Sequence, residues 1–342
     1  MKPSPPTVAK APTILDVAVQ AGVSKSAVSR ALLGQGEVSK ATRQRVEDAA
    51  AQLGYVANGM ARGLVSARTH TIGAVLRDMR RSFYGELLAG MQQGAENRGY
   101  QVITVTSAGD LEIPDALRTL KSLVSLQVDG LVIASAQLPS EDIVPFVDRT
   151  PIVVSGRAET APGITSVFSD DAFGGRLMAE HVLNLGHQQV AVAVVDRVYS
   201  LSQHARGMAM VQRLREAGPG VEVWKVGNDA DVRATAAARL HPRGVTAVMC
   251  PTDGSAVDVL EVLRLRGMSA PQDMTVTGYD AVGPLAAPFL GLTSYRVPVA
   301  QIGRTSLELL VDKIEGRAQG DRLVALQGAL VQGRTAGRIA PR

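Results

Sequence analysis

Cysteine occurs once in 342 residues, at Cys250, so no internal disulfide framework exists and a reducing compartment, the cytoplasm, is the expectation. Cys250 itself reads as a buried structural thiol. Aromatic residues make up only 4% of the chain, so its core must be aliphatic. The longest apolar runs, 131–134 and 190–195, are far too short to span a bilayer. The start of the chain lacks the apolar stretch of a secretory signal, and residues 1–12 read as a Pro-rich, disordered arm. No P-loop or GxGxxG follows a strand pattern, and His70, His181, His187, His204 and His241 show no metal-ligand spacing. The carboxylate pair Asp170–Asp171 opens a helical stretch, where capping accounts for it better than acid–base chemistry. Neither catalytic residues nor a metal nor a cofactor are therefore expected.

What is present points elsewhere. With 46% apolar residues the chain can bury a large core, and its length implies two or three compact units. Its charge is unevenly spread. Residues 1–68 hold nine Lys and Arg against four Asp and Glu, leaving 27 basic and 28 acidic residues for the remainder. A basic head on a near-neutral body suits a polyanion partner, although a basic solvated face would give the same count.

Within that head, Thr13 with Asp16 forms a capping box before an apolar stripe of Ile14, Val17, Ala18 and Ala21, and Gly22 supplies a left-handed stop. Ser24 then caps a second helix. Its Ala27, Val28, Ala31 and Leu32 fall in one arc, and Lys25, Ser26, Ser29 and Arg30 in the opposite one. One face can pack while the other carries only cationic or hydrogen-bonding groups, as a helix in a DNA major groove requires. A third helix runs from Ser39 to Gly54 on Val46, Ala49, Ala50 and Leu53. Ala18 and Gly22 permit the close approach of two helices joined by a short turn.

From Thr71 onward short aliphatic strands ("TIGAVL", "YQVITVT", "DGLVIAS", "PIVVS", "QQVAVAVV", "GVTAVMC", "MTVTGY") alternate with amphipathic stretches such as 83–98, 171–185 and 252–266. Alternation with buried strands predicts parallel, doubly wound sheets, and two such halves fit the length. A ligand would lie in the cleft outside the carboxyl ends of the strands.

The run "TILDVAVQAGVSKSAVSRALLGQGEVSKATRQRVEDAAAQLGYVANGMARGL" closely resembles the DNA-binding head of the LacI/GalR repressor family. "VDGLVI", "SDDAFGGRLMAEHVLNLGHQQVAV", "TDGSA", "TVTGYD" and "LTSYRVP" extend the likeness to the C-terminal region, from about Thr13 to Thr335. The resemblance implies an α/β protein with a three-helix helix-turn-helix head (13–57), a hinge (58–70) and an effector-binding, dimerising body (71–342). Two doubly wound subdomains of periplasmic-binding-protein type would build the body, one from about 71–168 plus 299–326, the other from about 169–298 plus 327–342. It implies a homodimeric repressor of a palindromic double-stranded operator, controlled by a small-molecule effector.

By the same resemblance Lys25, Ser26 and Arg30 read base edges, Ser24, Ser29, Ser39, Thr42 and Asn58 contact phosphates or cap helices, and Arg62 of the hinge is DNA-binding. Physically, residues 58–65 are too short for a stable isolated helix, and Gly59 and Gly63 weaken it further. In the family this segment folds on the operator, where Leu64 would wedge between base steps. Arg77, Phe83, Tyr84, Gly156, His204, Asp253 and Asp280 fall where relatives contact the effector. Two of these depart from the sugar-binding pattern: relatives often carry Asp at the position of Gly156 and Arg at that of His204. Arg77 and His204 would suit an anionic ligand such as a sugar acid, although His204 fits a structural histidine equally well. Side-by-side dimerisation is expected, with 83–98 one interface helix. The competing readings, an exported binding protein and an enzyme on a doubly wound fold, would need an export signal or a phosphate loop.

Overall fold

The computed structural model describes residues 11–33, 37–56, 68–106, 113–135, 138–241, 244–318 and 320–338. Asn58, Arg62 and Leu64 lie outside the described residues, as does most of the arm. The chain divides into two compact units, residues 1–69 and 70–342.

Three helices form the first unit: α1 (Ile14–Ala21), α2 (Lys25–Leu33) and α3 (Lys40–Leu53). The Thr13 hydroxyl accepts the Asp16 amide, and the Asp16 carboxylate accepts the Thr13 amide at 2.7 Å, closing the capping box. Gly22 takes φ 65° and ψ 38°, a conformation that costs a side-chain-bearing residue about 1–2 kcal/mol. Val17, Ala18, Ala21, Val28, Ala31, Val46, Ala49 and Ala50 are the buried core. Five of these eight are alanine, so the helices can approach closely around so few side chains.

The second unit contains two parallel sheets. Strands β1 (Thr71–Leu76), β2 (Gln101–Val105), β3 (Gly130–Ala134), β4 (Ile152–Ser155), β5 (Ile164–Ser169) and β11 (Leu323–Leu326) form one, in the order β11-β5-β4-β3-β1-β2. Strands β6 (Gln189–Val195), β7 (Gly220–Val226), β8 (Ala247–Met249) and β9 (Thr275–Thr277) form the other, in the order β7-β6-β8-β9. A short antiparallel pair, β10 (Ser294–Arg296) with β12 (Ala329–Val331), is bridged to the end of β9 through Thr277–Thr293 and Asp280–Arg296. Helices α4 (Ser82–Glu96), α5 (Ile113–Ser125), α6 (Ser140–Val147) and α11 (Val299–Ile314) accompany the six-stranded lobe. Helices α7 (Asp171–Asn184), α8 (Leu201–Ala217), α9 (Asp231–Arg239) and α10 (Asp253–Leu265) accompany the four-stranded lobe. Ile72, Val132, Val153 and Val192, on strands of both sheets, are fully buried, as the aliphatic runs predict.

Helices α4 and α11 pack almost backbone to backbone. A Cβ on Gly303 would stand 2.1 Å from the Leu87 carbonyl oxygen, and one on Gly90 would stand 2.1 Å from that of Ala300. Both obstacles are main chain, which cannot rotate away. Gly303→Ala should therefore destabilise the protein by about 1–3 kcal/mol, as overpacking does. Urea denaturation checks this; an unchanged midpoint would show that the two helices separate freely.

No helix among the described residues is long and apolar enough to cross a membrane. Cys250 is fully buried, and its burial beside Asp253 and Asp258 pushes the thiol pKa up.

Candidate nucleic-acid interface and ligand cleft

On α2 the two faces separate cleanly. Val28 is 0% exposed and Ala31 4%, whereas Lys25, Ser26 and Arg30 are exposed and Ser29 is half-buried. Ser24 stays at the helix start, where its hydroxyl accepts the Ala27 amide at 3.2 Å and lies 3.0 Å from that of Ser26. Ser39 plays the same part for α3, accepting the Thr42 amide at 3.2 Å and donating to the Thr42 hydroxyl at 2.9 Å. These capping bonds hold Ser24 and Ser39 at helix N-termini, where backbone N–H groups also favour an anion. Two cations and several hydroxyls around an aliphatic base are groups that can bond phosphates and base edges.

The second candidate site is a cavity of about 270 Å³ between the lobes of the body. Its lining comes from strand ends and the first turns of helices. Arg77 follows β1, Gly156 follows β4, Asp229 follows β7 and Asp280 follows β9. Asp171, Gln203 and Asp253 open α7, α8 and α10, whose caps are Asp170, Ser200 and Thr252. Asp170 thus caps α7 through the Phe173 amide at 2.9 Å, whereas its neighbour Asp171 turns into the cavity.

Of the positions nominated from sequence, Arg77, Phe83, Tyr84, Gly156, Asp253 and Asp280 all line this cavity. His204 does not; its Nδ1 pairs with the Val195 carbonyl at 2.8 Å. A different cation stands at the cavity, Arg206, two positions along the same helix and so about 200° around it. Arg206 is 5% exposed. It donates from Nε to Asp171 at 3.0 Å, and from Nη1 to Asp280 at 2.8 Å and the Pro251 carbonyl at 3.0 Å. Its guanidinium also stacks 3.9 Å above the Tyr279 ring. Asp280 is held there with φ 104°, a strained backbone for a residue with a side chain. Its amide donates to Tyr295 and its carbonyl accepts from Val297, at 2.9 and 3.0 Å.

Burial governs the acids of this wall. It lifts Asp171 to about 6 against the pull of Arg206, and it raises Asp280 as well. Asp253 is lifted to about 7, although it accepts the Ser294 hydroxyl at 2.6 Å and the Ala281 amide at 2.8 Å. A carboxyl whose pKa is higher folded than unfolded binds its proton more tightly in the native state. Native stability then falls as pH climbs from the ordinary carboxylate range through the folded values. Between about pH 4 and 7 these acids should therefore oppose folding progressively. Asp253→Asn, which keeps an acceptor for Ala281 and can exchange roles with Ser294, should flatten that slope. It should stabilise the protein at pH 8 by on the order of 1–3 kcal/mol; urea unfolding at pH 5 and pH 8 would reveal an unchanged slope if burial of this acid were harmless.

Across the cleft, Arg81 holds Asp229 with two bonds, of 2.6 and 3.1 Å, and donates to the Tyr199 hydroxyl at 2.7 Å. Arg77 donates to the Tyr199 carbonyl at 2.9 Å and lies 4.3 Å over its ring. Sequence reasoning did not pick out Arg81, Tyr199, Asp229, Asp171 or Arg206. Among the described residues no group of His, Cys, Asp and Glu is placed to hold a metal ion.

Residues 13–58 match the family model described as bacterial regulatory proteins, lacI family. Residues 69–330 match the one described as periplasmic binding proteins and sugar binding domain of LacI family. The chain is 28% identical over 323 residues to the HTH-type transcriptional repressor CytR of Escherichia coli (strain K12), covering 92% of this chain and 94% of that protein. It is 28% identical over 312 residues to the ribose operon repressor of the same strain, covering 88% and 93%. A lac repressor dimer bound to operator and the anti-inducer ONPF superposes with a TM-score of 0.83 at 24% identity, over 96% of this chain and all of that one. A complex of the transcriptional regulator CelR with cellobiose gives 0.67 at 27% identity, over 95% and 99%.

Proposed function

Because the chain belongs to the lacI family of bacterial regulatory proteins, it is a DNA-binding transcription regulator rather than an enzyme, and we propose that it acts as a cytoplasmic, dimeric repressor. It binds a two-fold-symmetric operator through its head and releases or tightens that grip when a small molecule of the carbohydrate class enters the cleft. One observation carries this reading: Lys25, Ser26 and Arg30 are exposed on the helix whose other side buries Val28 and Ala31. Relatives named for repression, and solved regulators holding operator or cellobiose, support it.

In this reading Lys25, Ser26 and Arg30 touch bases, while Ser24, Ser29, Ser39 and Thr42, with Asn58 and Arg62 of the hinge, touch phosphates. Leu64 wedges between base steps. Arg77, Phe83, Tyr84, Gly156, Asp253 and Asp280 meet the effector, joined by Arg206 and Asp171, and His204 braces the wall from behind. The head spans 13–57, the hinge 58–70 and the body 71–342, with subdomains of about 71–168 plus 299–326 and about 169–298 plus 327–342. Selection by the full chain from random duplex DNA tests the reading. A two-fold-symmetric consensus with half-sites about one helical turn apart is expected, and a pool that stays unenriched at low salt would contradict it.

A further inference from the structure

The charges that line the cleft are sorted by lobe. From the six-stranded lobe come three arginines, Arg77, Arg80 and Arg81, and no acid; from the four-stranded lobe come Asp171, Asp229, Asp253 and Asp280. Only Arg206 offsets that second wall, and it is committed to Asp171 and Asp280. Two of the three arginines converge on one residue, since Tyr199 takes Arg77 on its ring and carbonyl and Arg81 on its hydroxyl. The walls meet directly through Arg81 and Asp229.

A ligand that fills the cavity lies against both sets of charges. An uncharged one that parts Arg81 from Asp229 offers neither a counter-charge; the cost falls mainly on the nearly buried Asp229, since Arg81 is a third exposed and keeps Asp78 at 3.7 Å. A ligand with an acid group returns a partner to the arginine wall. Facing the other wall it needs hydrogen-bond donors, because Asp171 and Asp280 are held as acceptors by Arg206, and Gln203 Oε1 is buried without a partner. Those donors are hydroxyls rather than an ammonium, since Arg206 already places a cation between Asp171 and Asp280. Resting on the reading of this cleft as the effector site, we propose that the effector is a polyhydroxylated acid, a sugar carboxylate or sugar phosphate. Its anionic group docks on Arg77 and Arg81 in place of Asp229, and its hydroxyls face Asp171, Asp280 and Gln203.

Calorimetry on the full chain decides this with matched probes: D-glucose, D-gluconate and D-glucose 6-phosphate, then D-ribose and D-ribose 5-phosphate. An acid should bind at least about tenfold more tightly than its neutral parent, the scale of one charge-assisted hydrogen bond, and carboxylate and phosphate arms tell the two sources apart. Arg81→Gln should erase that preference and Arg81→Lys should retain part of it. Asp229→Asn should tighten acid binding about tenfold, because Arg81 then loses its competitor. These opposite signs separate direct contact from general damage, and thermal melts of each variant identify any that fails to fold. The proposal is overturned if a neutral sugar binds as well as its acid, if Arg81→Gln leaves acid affinity unchanged, or if no acid binds wild type or Asp229→Asn at about 10 mM. Operator selection on the same preparation is scored separately, so a failure of the regulator reading and a failure of the acid-effector proposal give different results.

Discussion

Arg206→Met is expected to destabilise the body by about 3–5 kcal/mol, the cost of removing one partner from a buried ion cluster. Arg206 is the shared counter-ion of the buried Asp171 and the half-buried Asp280 in the same wall. With the guanidinium gone, each carboxylate must either protonate or remain charged in a poorly hydrated cavity. The loss should therefore be larger at pH 8 than at pH 5, since protonation relieves it only at the lower pH. Adding Asp171→Asn and Asp280→Asn to Arg206→Met should recover much of the stability, because the triple variant buries no charge in this cluster. Urea unfolding at the two pH values measures both effects. A loss independent of pH and not relieved by the two asparagines would mean that Arg206 acts by packing on Tyr279 rather than by charge.

The head was legible in the sequence because its signals are local. Thr13 and Asp16 form their box within four residues, Gly22 stops α1, and the arcs of α2 follow from the helical period alone. In the body the fully buried strands read as aliphatic runs, and β1, β3, β4, β6 and β8 lie inside the expected segments. Strands β5, β7, β11 and β12 escaped notice for a physical reason. Residues 164–169 are interrupted by Thr165, Ser166 and Ser169, and β7 exposes Glu222 on one face and Lys225 on the other, so no aliphatic run marks it. The terminal strands are three or four residues long and incompletely buried.

The cleft was legible only in part. Arg77 and Asp280 can be nominated only through the family resemblance, and their places at strand ends agree with the α/β topology that puts strand ends at the ligand. Arg206 and His204 are two residues apart on one helix, and only the helix's rotation decides which of them faces the cavity. The pair Arg81–Asp229 joins residues 148 apart in sequence, and no local pattern announces such a contact. The same holds for Asp171, which from sequence looks like half of a cap; only the fold shows that Asp170 supplies the cap and leaves its neighbour free to meet Arg206.

Whatever enters the cleft, sequence-specific DNA binding depends on α2. Arg30 is exposed on the polar face, one turn from Lys25 and Ser26, and an arginine so placed can bond guanine O6 and N7 with both arms of its fork, worth roughly 1–3 kcal/mol of discrimination. A phosphate-bound arginine would lower affinity for every duplex alike and reduce the salt dependence. The deciding measurement is fluorescence anisotropy of Arg30→Ala and wild type on the selected operator and on a scrambled duplex, at two salt concentrations. The ratio of the two affinities should fall about 10- to 100-fold in the variant while binding to the scrambled duplex barely changes. An equal loss on both duplexes, with the ratio intact, would contradict base reading by this helix.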